Sequence, residues 1–290
     1  MDQTTRLRQR IEDDDILVAP GGYDALSASL AEQAGAEVVY MSGSSVSTST
    51  HGYPDVGLTT LTEMAERARQ MATAVDLPVF CDADTGYGNP LNVRRTVEEY
   101  EAAGVAGLHI EDQTFPKKCG HFEDKSVIPQ EEMVQKIRAA TDAREDDDFV
   151  IIARTDARAV HGFDDAVERS RAYVDAGADV LFFEAPTDED ELRRVGQEFP
   201  DIPLLANMTE GGRTPLFSAA EFEEMGFDVV IYPATAFKAA AKAMQDVFAE
   251  IVDTGTQAGV MDQLVTWEGR NELTGLAEMT ALEERYATDD

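Results

Sequence analysis

Residues 176–185 read Ala-Gly-Ala-Asp-Val-Leu-Phe-Phe-Glu-Ala, and this stretch contains the structural unit from which the fold is predicted. A glycine that follows alanine at the end of a helical segment is typical of a helix C-terminus. The apolar run after it is typical of a buried strand, and Glu184 places a charged group where that strand ends. The same order of a small or Met residue, glycine and strand recurs at residues 34–35, 103–104 and 225–226.

Short apolar runs of this kind recur along the chain with amphipathic helical segments between them. The helical segments include residues 61–75, 93–103, 130–143 and 165–176. Eight such units predict an α/β protein whose parallel strands close into a (β/α)8 TIM barrel. A doubly wound open sheet is the alternative, but residues 19–23 lack the glycine pattern of a dinucleotide turn. The predicted strands are residues 16–19, 38–41, 79–83, 107–111, 149–155, 180–185, 203–208 and 229–233.

The chain gives no reason to expect more than one domain, because no linker or shift of composition divides its 290 residues. We therefore predict a single TIM-barrel domain over residues 1–290. Residues 256–290 follow the eighth unit and are predicted to form a helical C-terminal extension. This extension is a candidate for packing on, or exchange with, a neighbouring subunit.

The charge of the chain is strongly negative, with 57 acidic and 24 basic residues and a net charge of −33. Such a surface disfavours nucleic acid as a partner. The acidic residues are spread over the helical segments, which favours a hydrated surface adapted to a halophilic cytoplasm, where salt screens the repulsion. A field that steers a cation towards a cleft is the alternative interpretation.

The compartment is predicted from the termini and the cysteines. No apolar run is long enough to span a membrane, and residues 1–15 lack the apolar stretch of a signal peptide, so we expect no membrane partner and a cytoplasmic location. Two cysteines, Cys81 and Cys119, fit a reducing compartment better than a disulfide framework.

Polar residues follow nearly every predicted strand, at the end of a barrel that carries the active site. Asp82 and Asp84 are two residues apart and project to one side, and Glu111 arrives from the next strand. Three converging carboxylates predict a cation, and an all-oxygen ligand set favours Mg²⁺, or Mn²⁺, over Zn²⁺. The alternative is that one acid pairs with Arg154 and another caps a helix.

A second candidate site is the run Lys117-Lys118-Cys119-Gly120-His121. Cations beside a thiol stabilise its thiolate, and a glycine lets a substrate approach the backbone. The run lies in residues 113–127, which are predicted to form a loop able to close over the site. A solvated basic turn with an incidental cysteine is the alternative. The side chain of Cys81 is expected on the face of the strand opposite to that of Asp82, between the barrel and the helices, and Cys81 is predicted to be structural.

Together with these residues, several longer motifs resemble the isocitrate lyase and phosphoenolpyruvate mutase superfamily. Within it, the chain is most similar to the 2-methylisocitrate lyases, and the similarity extends from about residue 23 to residue 273. The motifs that carry the resemblance are residues 40–43, 82–88, 109–113, 117–121, 153–157, 207–210 and 270–273.

The resemblance implies a Mg²⁺-dependent lyase that cleaves a 2-hydroxy tricarboxylate, and a homotetramer. The predicted reaction is cleavage of 2-methylisocitrate into succinate and pyruvate. Isocitrate cleavage into succinate and glyoxylate is the first alternative, and cleavage of oxaloacetate or a 2-alkylmalate is the second. From another class, a non-catalytic acidic binding protein is the alternative. Phe182 and Ile231 stand where isocitrate lyases have Trp and Thr, which leaves room for a methyl group.

The resemblance also implies a role for each site residue. Asp84 binds the metal directly, while Asp82 and Glu111 act partly through water. Tyr40 or a metal-linked group is the base, and Cys119 is the general acid. Arg154 and His121 complete the catalytic set. The residues implied to bind substrate are Ser42, Gly43, Ser44, Gly120, Glu184, Asn207, Thr209, Lys238 and Arg270.

Overall fold

The computed structural model describes residues 1–120, 122 and 124–288, and it confirms the predicted barrel. All eight strands are parallel, each pairs with its neighbours in chain order, and β8 pairs with β1 to close the sheet. The strands are β1 Leu17–Gly22, β2 Val39–Met41, β3 Val79–Asp82, β4 Gly107–Glu111, β5 Val150–Thr155, β6 Val180–Phe183, β7 Leu204–Asn207 and β8 Val229–Tyr232.

Seven strands agree with the predicted bounds to within two residues, but β1 is longer than predicted. The prediction ended it at residue 19 because Pro and Gly are uncommon inside strands. In the structure Pro20 pairs with Tyr232, and Gly21 pairs with Tyr40. Only glycine fits at position 21, because a Cβ there would lie 2.5 Å from the Tyr232 carbonyl oxygen.

The helices begin where side chains satisfy the free backbone N–H groups. The predicted helix 93–103 starts earlier, at Pro90, because the Asn89 side chain accepts from the N–H groups of Leu91 and Asn92. The helices are α1 Gln3–Glu12, α2 Ala25–Gln33, α3 Gly43–Val46, α4 Leu61–Ala74, α5 Pro90–Ala102, α6 Gln130–Thr141, α7 Ala157–His161, α8 Phe163–Asp175, α9 Glu189–Glu198, α10 Ala219–Glu224, α11 Thr235–Thr254, α12 Trp267–Leu273 and α13 Leu276–Tyr286.

The apolar core has two layers, one inside the barrel and one between the strands and the helices. Phe80 and Ile152 belong to the inner cluster, and Leu7 of α1 is buried in the same cluster. Side chains of α1 also bond to the loops that precede β3 and β5, so α1 closes the amino-terminal end of the barrel. Cys81 is buried in the outer cluster with Tyr100, the side predicted from its parity.

The chain forms two compact units, Met1–Phe237 and Lys238–Asp290. The first contains the barrel. The second contains most of α11, a 3₁₀ turn at Ala258–Gln263, α12 and α13. Among its described residues Val260 is the only buried apolar side chain. The single domain, the extension at residues 256–290 and its exchange between subunits stay predictions. In the described part of the chain, no helix is long and apolar enough to cross a membrane.

Candidate active site

The carboxyl ends of the strands surround a cavity of about 50 Å³ that opens to solvent on one side. Its polar wall brings together ten of the residues predicted from the sequence, and its apolar wall includes Phe182 and Ile231. The ten predicted residues are Tyr40, Ser42, Ser44, Asp82, Cys119, Gly120, Arg154, Glu184, Asn207 and Thr209.

A group of buried carboxylates lies at the ends of β3 and β4. Asp82 is the last residue of β3, and Asp84 follows it with a left-handed φ of 47°. Its backbone N–H donates to Asp82 Oδ1 at 2.9 Å, which fixes the turn. The ammonium group of Lys117 lies 2.6 Å from Asp84 Oδ1 and also contacts Asp55. A loop cation thus lies among the carboxylates predicted to bind a metal.

Burial and the neighbouring charges shift the pKa values of these carboxyl groups in different directions. Burial would raise the pKa of Asp82, but the nearby basic groups outweigh it and lower that pKa. Burial, opposed by Lys117 and reinforced by Asp82, raises the pKa of Asp84 to about 6. Burial outweighs the attraction of Arg154 and raises the pKa of Glu111 well above its ordinary range. Glu111 Oε1 is buried and has no hydrogen-bond partner among the described residues. A cation bound here would favour the ionised form of these groups.

These residues fit a divalent ion that binds largely through water. Within the described residues, no group of three or more Asp, Glu, His or Cys side chains is arranged to hold a metal ion directly. Carboxylate oxygens are nevertheless the ligands that Mg²⁺ prefers, and Mg²⁺ commonly keeps several waters and uses only one or two carboxylates. Of the three predicted ligands, Asp82 lines the cavity, and Asp84 and Glu111 are buried outside its lining. One or two of these carboxylates would suffice for that kind of site.

Arg154 connects the carboxylates of three strands. Its Nε donates to Asp156 Oδ2 at 2.9 Å and lies 3.3 Å from Glu111 Oε2. Its Nη2 lies 3.7 Å from Glu184 Oε1, and the guanidinium lies over the ring of Phe182 at 5.0 Å. Burial opposes its charge, but the surrounding carboxylates hold the pKa of Arg154 well above its usual value. The site therefore contains a permanent cation.

Tyr40 and His109 form a neutral pair beneath the cavity. The tyrosine hydroxyl lies 2.9 Å from His109 Nε2. Burial, reinforced by Asp82, raises the pKa of Tyr40 well above its ordinary value. Burial lowers the pKa of His109 to about 4 against the opposing effect of Asp82. At neutral pH Tyr40 is therefore protonated, and its hydroxyl can donate to a bound oxygen when His109 Nε2 carries the imidazole proton and donates to the hydroxyl oxygen.

The 113–127 loop covers the cavity and brings the predicted thiol to it. The stem of the loop is closed by an antiparallel bridge between Gln113 and Val127. Gln113 also bonds through its side chain to the backbone N–H and carbonyl of Lys118. Cys119 is partly exposed and lines the cavity. The Lys118 ammonium donates to the Asp124 carbonyl at 2.8 Å, so its charge is bound within the loop.

The remaining predicted residues have different positions. Ser42 caps α3, and a Cβ at Gly43 would lie 2.5 Å from Asp82 Oδ2, so this backbone is close to the carboxylates. His121 lies outside the described residues. Lys238 lies in α11 and Arg270 in α12, both within the second unit. The roles of His121, Lys238 and Arg270 stay predictions.

Sequence reasoning missed three charged residues that the structure places at or beside the site. Asp156 ends a predicted strand, and that position was the signal that could have identified it. Asp55 follows a π-helical turn at Ser47–His51 instead of a strand, so the strand-end rule does not find it. Lys125 lies in the 113–127 loop and belongs to no sequence motif that indicates a function.

A family model described as phosphoenolpyruvate phosphomutase matches residues 7–252. The chain belongs to the phosphoenolpyruvate mutase/isocitrate lyase superfamily. A 2,3-dimethylmalate lyase from Eubacterium barkeri is 47% identical over 99% of both chains. A 2-methylisocitrate lyase from Aeropyrum pernix is 49% identical over 90% of this chain and 83% of its own length.

Solved structures of other proteins also have the fold of this chain. A crystal structure of phosphonopyruvate hydrolase in complex with oxalate and Mg²⁺ matches with a TM-score of 0.90 at 34% identity, over 99% of each chain. That relative therefore holds a magnesium ion and a small dicarboxylate on the same fold. The relatives named here thus act on small carboxylates.

Proposed function

We propose that this protein is a Mg²⁺-dependent carbon–carbon lyase that cleaves 2-methylisocitrate into succinate and pyruvate. The observation that carries the proposal is the position of Cys119 at a cavity that also contains Asp82 and the cation Arg154. A thiol opposite a carboxylate cluster suits a reaction in which charge develops at one end of the substrate and a proton is added at the other.

The chain's own groups can bind the substrate and supply the proton that the cleavage adds to carbon. A divalent ion bound by Asp84 would polarise the hydroxyl and carboxylate oxygens of the substrate. Tyr40 and Arg154 line the same cavity and can donate hydrogen bonds to the 2-oxo acid that forms. Because Tyr40 is protonated, the hydroxyl proton would pass to the other base that the resemblance implies, a metal-linked group; the carbon–carbon bond then breaks and leaves a carbanion next to a carboxylate. Cys119 is the proposed acid that protonates this carbon.

The apolar wall of the cavity supports a substrate with a methyl group at the hydroxyl-bearing half. Phe182 and Ile231 are both about 1% exposed and line the cavity beside Arg154. A methyl group in such a pocket contributes roughly 1 to 3 kcal/mol of discrimination. We therefore expect isocitrate to be cleaved more slowly, by roughly 10- to 200-fold in kcat/KM.

Cleavage of 2,3-dimethylmalate is the second candidate, and the relative that covers 99% of both chains favours it. The two substrates share the half that leaves as pyruvate. They differ in the other fragment, which is succinate in one reaction and propionate in the other. The substrates are therefore distinguished by whether the site binds one further carboxylate.

The test is to incubate the purified protein with threo-2-methylisocitrate, 2,3-dimethylmalate, isocitrate and oxaloacetate, each with and without Mg²⁺. We expect the highest kcat/KM for 2-methylisocitrate, with pyruvate and succinate formed in equal amounts. Preference for 2,3-dimethylmalate would replace the first candidate with the second. No turnover of any of the four substrates would contradict both and support the binding protein.

The metal prediction is tested separately with Asp84→Ala. We expect this variant to lose turnover and most of its affinity for Mn²⁺, measured by electron paramagnetic resonance, while its circular dichroism spectrum is unchanged. Full activity of the wild-type enzyme in EDTA would contradict the prediction. Assembly as a homotetramer and a cytoplasmic location remain predictions from the sequence.

A further inference from the structure

Lys125 is a buried lysine within the surface loop 113–127. Its side chain is 1% exposed, and its ammonium donates to Asp156 Oδ1 at 2.6 Å and to the carbonyl of Gly120. Burying a lysine removes most of its rotamer freedom and its hydration, so such a position requires compensating bonds. Here one of the bonds joins the loop to the barrel, and the other lies within the loop.

Asp156 is a fixed anchor for this ammonium. It follows β5, is fully buried, and receives two hydrogen bonds from Arg154, at 2.9 and 3.1 Å. Its backbone N–H donates to Asp112 Oδ1 at 2.8 Å. Burial would raise the pKa of Asp156, but Arg154 and Lys125 outweigh it and hold the value at about 2. The carboxylate is therefore ionised and shared between the barrel and the loop.

The second bond of Lys125 ends next to the thiol. Gly120 is so close to the barrel that a Cβ on it would overlap Glu184 Oε1 and Arg154 Nη2. The Gly120 carbonyl, to which Lys125 donates, thus belongs to the backbone segment that contacts the site. Gly120 directly follows Cys119 in the sequence. The loop stem does not depend on Lys125, because the Gln113–Val127 bridge already closes it.

We propose that Lys125 is a positioning residue whose ammonium latches the 113–127 loop to Asp156 and so sets the place of the Cys119 thiol at the cavity. Its catalytic consequence rests on the proposed lyase function, but the latch itself does not. Without the ammonium, the loop loses its bond to Asp156, while the contact of Lys117 with Asp84 and the closed stem remain. The thiol would then be more exposed and less often in place.

The test compares Lys125→Met with Ser126→Ala, which changes the next residue of the same loop and removes a side-chain bond to Thr114 at the stem. The measurement is the rate constant for alkylation of Cys119 by iodoacetamide in the full-length protein without substrate. Cys81 is fully buried and does not interfere. We expect Lys125→Met to react about 10- to 100-fold faster than wild type, the factor for loss of one charge-assisted hydrogen bond. Ser126→Ala should change the rate by less than about twofold, since its bond to Thr114 is exposed and lies at the stem of the loop.

Two further measurements separate the latch from a general loss of structure. With the best substrate, kcat of Lys125→Met should fall at least about tenfold while its melting temperature stays close to that of wild type. Ethylammonium chloride should slow the alkylation of Lys125→Ala, whereas KCl at equal concentration should not. If Lys125→Met does not fold, the same rates are measured for Lys125→Gln.

The outcomes distinguish the latch from the lyase proposal. Faster alkylation in Lys125→Met confirms the latch even if no substrate is turned over, in which case only the proposed function fails. An alkylation rate within twofold of wild type in a folded Lys125 variant would overturn the latch. Equal effects of ethylammonium and KCl on Lys125→Ala would overturn it too.

Discussion

At the scale of the single residue, the two cysteines show how position decides chemistry. Cys81 is fully buried, and burial raises the pKa of its thiol well above the ordinary range. Cys119 is partly exposed on the loop and lines the cavity. A buried thiol with a raised pKa is inert, whereas an accessible one can exchange a proton.

The proposed role of Cys119 as general acid predicts the effect of Cys119→Ser. Because general acid catalysis contributes roughly 10²- to 10⁴-fold, we expect kcat to fall by about that factor while KM changes little. Cys81→Ala serves as the control and should keep kcat. Near wild-type kcat in Cys119→Ser would show that the thiol is not the acid.

Asp156 provides a prediction for the dependence of stability on pH. Its folded pKa of about 2 lies below the ordinary 3.8, so its ionised form stabilises the fold above pH 4. That contribution, about 2 kcal/mol, is lost as the pH falls from 4 through 2. Asp156→Asn should therefore lower the free energy of unfolding at pH 7 and approach wild type near pH 2. Urea titrations at both pH values measure this.

The control for this prediction is Asp147→Asn, which changes an exposed acid in the loop before β5. It should shift the free energy of unfolding equally little at both pH values. A difference between Asp156→Asn and wild type that does not shrink in acid would contradict the assigned ionisation of Asp156.

At the scale of the element, the packing of the 113–127 loop against the barrel requires a glycine at position 120. A methyl group on Gly120 would overlap Glu184 and Arg154, so Gly120→Ala should keep the loop from seating. We expect kcat to fall at least about tenfold, because small displacements of reacting groups are costly. Cys119 should also be alkylated faster, and the melting temperature should change little.

Ser126→Ala is the control for the glycine variant. Ser126 lies in the same loop and bonds to Thr114 at its stem, and its replacement adds no atom near the cavity. It should keep kcat within a few-fold of wild type. If Gly120→Ala also kept its kcat, the close approach of this backbone would not matter for turnover.

At the scale of the whole molecule, the net charge of −33 dominates the response to salt. At 1 M salt the screening length is about 3 Å, so repulsion between surface carboxylates is largely removed. If the acidic surface is an adaptation to a halophilic cytoplasm, the melting temperature should rise from low salt to molar KCl. Calorimetry over a KCl series measures it. An unchanged or lower melting temperature in molar KCl would contradict a halophilic origin.

The sequence by itself predicted the barrel and much of the site. Apolar runs with glycine-ended helices between them are local patterns, and burial forces them to alternate as strands and helices. Closure of eight such units then brings every strand end to one face. Asp82, Arg154, Glu184 and Asn207, which line the cavity, were predicted as site residues because each lies at or directly beside a strand end.

Only the tertiary structure decided which charges meet across the chain. Lys117 contacts Asp55 across 62 positions, and Lys125 reaches Asp156 across 31. Neither pair has a sequence pattern, because both join a loop to an element brought near by closure of the barrel. The length of β1 also depends on tertiary contacts. Its pairing with β8 leaves no room for a side chain at position 21, which explains why a glycine continues the strand there. Periodicity reports burial along one element, whereas ion pairs and close backbone contacts depend on how distant elements pack.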